Sequence, residues 1–74
     1  MPAPIPFAEF KRKMKHLGVV LKQGGKATHF KLVRKVGDQN LVYCIARSGN
    51  EVLGCYIVGT KRALQISDDE FDKA

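Results

Sequence analysis

The sequence predicts a single α+β domain in which a helix, three strands and a second helix follow one another. Near both ends of the chain the apolar residues are spaced by three and four positions, as in an amphipathic helix. Between them, from residue 19 to residue 46, apolar residues alternate with polar ones or form short runs. Because 74 residues support one hydrophobic core, residues 1–74 are expected to form one domain.

The first predicted helix begins at Phe7 and ends before Gly18. Two prolines precede it, and glycine is the usual residue after a helix C-terminus. Its apolar side chains form one stripe, made by Phe7, Phe10, Met14 and Leu17. Its other faces are basic and carry Lys11, Arg12, Lys13 and Lys15.

Three strands are predicted next, over residues 19–22, 27–36 and 41–46. Glycine-containing segments at 23–26 and 37–40 separate them and are typical of hairpin turns. Because residues 41–46 (LVYCIA) are all apolar, we expect them to form the central strand of the sheet, buried or lightly covered on each side.

The second strand divides its side chains between the two faces of the sheet, since successive residues point in opposite directions. One set is expected on the core face: Thr28, Phe30, Leu32, Arg34 and Val36. His29, Lys31 and Lys35 would then stand together on the other face.

A second helix is predicted from residue 53 to residue 65, followed by a capped last turn. Ser67 and Glu70 have the capping-box spacing, and the turn would bring Phe71 against the core. Hairpin-linked strands between two helices predict a three-stranded antiparallel sheet with both helices on one face. This is the layout of a double-stranded-RNA-binding domain.

The charge of the chain favours a polyanionic partner. The net charge is +6, and residues 1–66 contribute +9 whereas residues 67–74 contribute −3. A small basic body attracts nucleic acid through release of counterions. The alternative is that the charge serves solubility alone.

Several other classes are not indicated by the sequence. Cys44 and Cys55 belong to no metal-ligand cluster, so we expect reduced, partly buried thiols. No P-loop or dinucleotide fingerprint is present, and we expect no metal and no small-molecule cofactor. The N-terminus does not have the pattern of a signal peptide, and no run of about 18 apolar residues occurs. The expectation is a cytoplasmic protein with no membrane partner.

His29 is the residue best suited to catalysis. RNA carries its own nucleophile, the 2′-hydroxyl, so cleavage requires a proton carrier and stabilisation of phosphate charge. His29 can carry the proton, Lys26 and Lys31 can neutralise the phosphate, and the N–H groups of Gly24 and Gly25 can add an anion nest. The alternative is an ordinary exposed histidine beside an ordinary hairpin turn.

Three parts of the sequence resemble HicA-type toxins of bacterial and archaeal toxin–antitoxin systems. They are the helix ending in Leu17-Gly18, the block QGGKATHF at 23–30 and the segment KRALQISDDEF at 61–71. Two differences accompany the resemblance. Thr28 and Phe30 stand where the family often has serine and a second histidine, and residues 46–48 replace a frequent proline and histidine.

The resemblance implies a double-stranded-RNA-binding-like fold, an mRNA interferase activity with His29 as the catalytic histidine, and a HicB-type antitoxin as partner. The substrate RNA would be bound by eight further residues: Gly24, Gly25, Lys26, Thr28, Lys31, Lys35, Lys11 and Lys15. We therefore expect a metal-independent endoribonuclease. Two alternatives remain: a non-catalytic RNA-binding module and a protein-interaction domain for an acidic partner.

Overall fold

The computed structural model describes residues 3–25 and 28–74, and it confirms an α+β architecture. The predicted helix, three strands and second helix are present, with a short third helix after them. The elements in chain order are β1 (Ile5–Pro6), α1 (Phe7–His16), β2 (Val19–Gln23), β3 (His29–Val36), β4 (Gln39–Ala46), β5 (Glu51–Val52), α2 (Gly54–Ala63) and α3 (Asp68–Lys73).

The main sheet is antiparallel with the order β2-β3-β4, so β3 and not β4 is central. The prediction that residues 41–46 form the central strand is wrong. Two successive hairpins necessarily place the middle strand of the sequence in the middle of the sheet. The apolar run at residues 41–46 does not mean cover on both sides either, because Val42 is 46% exposed.

A small two-stranded sheet, β1 with β5, was not predicted. Ile5 pairs with Val52, and the Phe7 N–H donates to the Asn50 carbonyl at 2.6 Å. Strands of two residues are too short to show alternation, and the prolines near residue 5 indicated only the start of a helix. This pairing ties the segment before α1 to the segment before α2.

The hydrophobic core lies on one face of the main sheet, and α1 and α2 both pack there. Leu32 and Ile45 from the sheet meet Phe10 of α1 and Ile57 of α2 in one buried cluster. The predicted place of Val36 in this core is wrong. It is 38% exposed because β3 ends there, beside the turn at Gly37, beyond the cover of the helices.

Gly59 lowers the helix propensity of α2, and its presence there is explained by packing. A Cβ atom at this position would overlap the hydroxyl and ring of Tyr43 on β4. Glycine therefore allows α2 to approach the sheet closely. The observed helix, Gly54–Ala63, is shorter than the predicted 53–65 by a residue or two at each end.

The capping box at the last helix is confirmed. The Ser67 hydroxyl accepts from the Glu70 N–H and the Glu70 carboxylate accepts from the Ser67 N–H, both at 3.1 Å. Phe71 is buried as expected. Both cysteines are free, but their predicted partial burial is wrong, because Cys44 and Cys55 are exposed. No helix in the described residues is long and apolar enough to span a bilayer.

Candidate functional site

The candidate site is the face of the main sheet that points away from the helices. Strand pairing aligns its side chains in rows across β2, β3 and β4. We call this surface the open face; its residues are Val20, Lys22, His29, Lys31, Val33, Lys35, Asn40, Val42, Cys44 and Ala46. His29, Lys31 and Lys35 lie on it and are exposed, as the alternation predicts.

His29 is the first residue of β3 and lies at one end of the open face. On one side it pairs with Ala46 of β4, and on the other side its carbonyl accepts the Gly24 N–H at 2.7 Å. In the described residues, no side chain is hydrogen-bonded to the imidazole. His29 is exposed, so the ring is accessible to a ligand, and no hydrogen bond from a described residue fixes its orientation.

The glycine pair contributes less to an anion nest than the sequence suggests. The Gly24 N–H donates to the His29 carbonyl, so in this structure it is not available to an anion. A Cβ at Gly24 would lie 3.2 Å from the His29 carbonyl oxygen, which explains the small residue there. Gly25 is exposed beside it, and Lys26 lies outside the described residues.

Lys31 is on the open face two residues from His29, and Lys22 of β2 is its direct cross-strand partner. Like charges placed directly opposite each other destabilise a sheet. Sequence reasoning missed Lys22 because it followed only the strand that carries His29. A two-residue turn drawn at Gly24-Gly25 would instead pair Lys22 with Ala27, so the observed register of β2 and β3 was needed to find this partner.

The other predicted substrate-binding lysines do not converge on His29. Lys35 is on the open face, but six residues along β3, or about 20 Å away. Lys11 and Lys15 are on α1, which packs against the opposite face of the sheet. A ligand that touches all of them must extend over several nucleotides and pass from one face to the other.

Thr28 and Arg47 mark the end of the sheet beside His29. The Arg47 N–H donates to the Thr28 carbonyl at 2.9 Å, and this bond continues the ladder between β3 and β4. The Thr28 side chain is exposed. Arg47, which immediately follows β4, is another residue that sequence reasoning did not select.

Phe30 points to the helix side and not to the open face. Its ring packs on Phe7 with 4.7 Å between the centroids. Neighbouring residues of a strand point to opposite faces, so a second histidine at position 30 would not stand beside His29 on the open face. The presence of phenylalanine and not histidine at position 30 thus does not affect the composition of that face.

The chemistry available on the open face is proton transfer and neutralisation of phosphate. The imidazole of His29 can accept or donate a proton, and the ammonium groups of Lys22 and Lys31 can bind a phosphate oxygen. No Asp or Glu occurs in the three strands of the sheet. No group of three potential metal ligands occurs in residues 3–25 and 28–74.

Comparison of the chain with models of known protein families, with curated proteins and with solved structures finds no match. The resemblance to HicA-type toxins therefore depends on the three sequence segments given above.

Proposed function

We propose that the protein binds RNA on the open face and cleaves it with His29, as a metal-independent endoribonuclease and mRNA interferase of the HicA kind. One observation carries the proposal. His29 shares an exposed face with a directly opposed lysine pair, Lys22 and Lys31, and the three strands of that sheet carry no carboxylate. An anion placed between the lysines would relieve their repulsion.

The proposed reaction uses the RNA's own 2′-hydroxyl as nucleophile. Its oxygen attacks the adjacent phosphorus, the bond to the 5′-oxygen of the next nucleotide breaks, and a 2′,3′-cyclic phosphate and a 5′-hydroxyl result. His29 takes the proton from the nucleophile or supplies one to the leaving oxygen, and water exchanges the other proton. Lys31 and Lys22 stabilise the negative charge that grows on the phosphate in the transition state.

The fold and partner belong to the same proposal. The order α1, β2, β3, β4, α2 is that of a double-stranded-RNA-binding-like fold, with RNA placed here on the sheet. The resemblance adds a HicB-type antitoxin that would cover His29, and a cytoplasmic location in which mRNA is accessible. Thr28 and Gly25 would lie against the RNA backbone next to His29.

A second candidate is RNA binding without cleavage. It is favoured by the absence of any described hydrogen bond to the His29 imidazole, because general acid–base catalysis needs the ring held in a productive orientation. In this case Lys22, Lys31 and His29 would contact phosphates and the RNA would be released intact.

Cleavage of a labelled single-stranded RNA in the presence of a metal chelator tests the proposal. His29→Ala is expected to lower the rate at least about 100-fold, the usual contribution of a general acid or base. His16→Ala, at the exposed end of α1, is the control and should cleave at the wild-type rate. A substrate with deoxyribose at the scissile position should remain uncut by all three proteins.

The outcomes separate the candidates. Equal cleavage by wild type and His29→Ala would overturn the assignment of His29. Salt-sensitive binding of RNA by wild type without any cleavage would favour the binding module. Absence of both binding and cleavage would contradict both candidates.

A further inference from the structure

A second group of unpaired cations lies around Phe7, at the end of the sheet where His29 stands. The Lys11 ammonium is 5.1 Å and the Arg47 guanidinium carbon 5.6 Å from the centroid of the Phe7 ring. Phe30 packs against the same ring. We call this group, Phe7, Phe30, Lys11 and Arg47, the Phe7 cluster.

The Phe7 cluster has two positive charges and forms no ion pair with a carboxylate in residues 3–25 and 28–74. The ion pairs among the described residues are Arg12 with Glu9, Arg34 with Glu70 and Lys61 with Asp68, so neither Lys11 nor Arg47 takes part in one. Each cation is attracted to the ring of Phe7, and an anion that contacts either of them competes with no carboxylate of a described residue.

The Arg47 guanidinium also has N–H groups that form no hydrogen bond with a described residue. Its Nη1 donates to the Gly49 carbonyl at 3.0 Å, which is its one side-chain hydrogen bond among the described residues. Its Nε is buried and has no partner there. A guanidinium presents five N–H donors in a planar fork that matches two oxygens of a phosphate. The aromatic ring holds this fork in place.

The position of the Phe7 cluster relates it to His29. Ala46 is the cross-strand partner of His29, and Arg47 follows directly, with its N–H bonded to Thr28. The Arg47 side chain turns to the helix side, whereas His29 faces the open face. His29 therefore lies between two cationic groups, Lys22 with Lys31 on one face and the Phe7 cluster around the end of the sheet.

We propose that Lys11 and Arg47 form a second phosphate-binding site for the same RNA, and that the substrate is single-stranded where it crosses the end of the sheet. This inference depends on the proposed function. A strand that binds both groups must turn around the sheet end within a few nucleotides, which a stiff duplex resists and a single strand allows. The turn would place the nucleotide at His29 out of helical stacking, free to align its 2′-hydroxyl with the leaving oxygen.

The test measures binding of a fluorescent single-stranded RNA over a range of salt concentrations, in a His29→Ala background that leaves the RNA intact. Arg47→Met and Lys11→Met keep an unbranched side chain over Phe7 and remove one charge each. Each is expected to reduce the slope of log affinity against log salt by about 0.7, the value for one phosphate contact on a single strand. Arg62→Met, exposed on α2, is a control that loses a charge elsewhere and should keep the slope.

Each alternative result has a distinct meaning. Unchanged slopes in Arg47→Met and Lys11→Met, with reduced slopes in Lys22→Met and Lys31→Met, would overturn the second site and leave the proposed function standing. Equal affinity for a duplex of the same sequence would overturn the single-stranded path. If no variant and no parent protein binds RNA, both the inference and the proposed function are wrong.

Discussion

Two sets of basic side chains differ in their contacts. Those next to α3 form hydrogen bonds or ion pairs within the protein, whereas those on the open face form none with a described residue. Lys13 is 8% exposed and its ammonium donates to the Phe71 carbonyl at 2.9 Å. Arg34 donates to the carbonyl of Leu64 at 2.9 Å and lies 3.4 Å from the Glu70 carboxylate. These side chains join α1 and β3 to the C-terminal part of the fold.

On the open face the cations have no such partners among the residues that the structure describes. Lys22, Lys31 and Lys35 are exposed, and none of them forms an ion pair or a side-chain hydrogen bond with a described residue. Two carboxylates of the acidic segment at residues 67–74, Asp68 and Glu70, pair instead with Lys61 and Arg34. Paired cations therefore stabilise this fold, whereas unpaired ones form a surface on which an anion can bind.

Among changes to the basic side chains next to α3, Lys13→Met is expected to have the largest effect on stability. The change keeps the length of the side chain but removes an ammonium that caps the end of α3 and lies 5.0 Å from the centroid of the Phe71 ring. Loss of a buried, charge-assisted hydrogen bond is expected to lower the free energy of unfolding by about 2 kcal/mol. Urea unfolding followed by circular dichroism measures it.

Lys15→Met on the same helix is the matched control, because its side chain is exposed and makes no hydrogen bond among the described residues. It should unfold within about 0.5 kcal/mol of wild type. Equal destabilisation by both variants would show that the loss at position 13 reflects helix charge and not the contact with α3. Folded Lys13→Met should bind RNA as wild type does.

Periodicity was sufficient for much of this fold. The apolar stripe of α1, the alternation in β3 and the spacing of Ser67 and Glu70 each depend on local geometry, and each is present in the structure. What periodicity cannot give is the order of strands in the sheet, because an all-apolar run such as residues 41–46 has the same pattern in an edge strand and in a central strand. The β1–β5 pairing was not predicted for a related reason, because a strand of two residues is too short to show an alternating pattern.

The candidate site was predictable only where it follows a single strand. The alternation of side chains along β3 was sufficient to predict that His29 and Lys31 share one face of the sheet. Lys22 and Arg47 join them through cross-strand pairing and through a contact with Phe7, both of which depend on residues distant in sequence. The hydrogen bond that engages the Gly24 N–H also needed the register of the turn.

Lys22→Glu tests the lysines of the open face, because it should raise the stability of the protein and lower its affinity for RNA. A glutamate would face Lys31 directly and replace a repulsive cross-strand pair with an attractive one, which is worth roughly 0.2–1 kcal/mol of added stability. The same change should weaken RNA binding, since it removes one phosphate contact and introduces a charge that repels phosphate. Thermal unfolding and fluorescence anisotropy measure the two effects on one preparation.

Lys35→Glu is the control for that variant, because Asn40 and not a lysine is its cross-strand partner in β4. It should show little gain in stability. If Lys22→Glu destabilises the protein, the Lys22–Lys31 pair is not a repulsive one in solution. If it binds RNA as tightly as wild type, the open face is not the RNA surface.

Glu70→Gln is expected to give the smallest effect. It tests the contact between α3 and β3 through the pH dependence of stability. The backbone N–H of Ser67, with help from its hydroxyl and from Arg34, lowers the pKa of Glu70 below its ordinary value of 4.5, although partial desolvation opposes this. A carboxylate with a lowered pKa in the folded state stabilises the fold above its unfolded pKa, and this contribution is lost as the pH falls through the folded value. Glutamine can still accept from the Ser67 N–H but has no charge for Arg34. Wild type should therefore melt at a slightly higher temperature than Glu70→Gln near neutral pH, and the two melting temperatures should converge well below pH 4.5. A difference that is the same at both pH values would show that the charge of Glu70 does not stabilise the contact between α3 and β3.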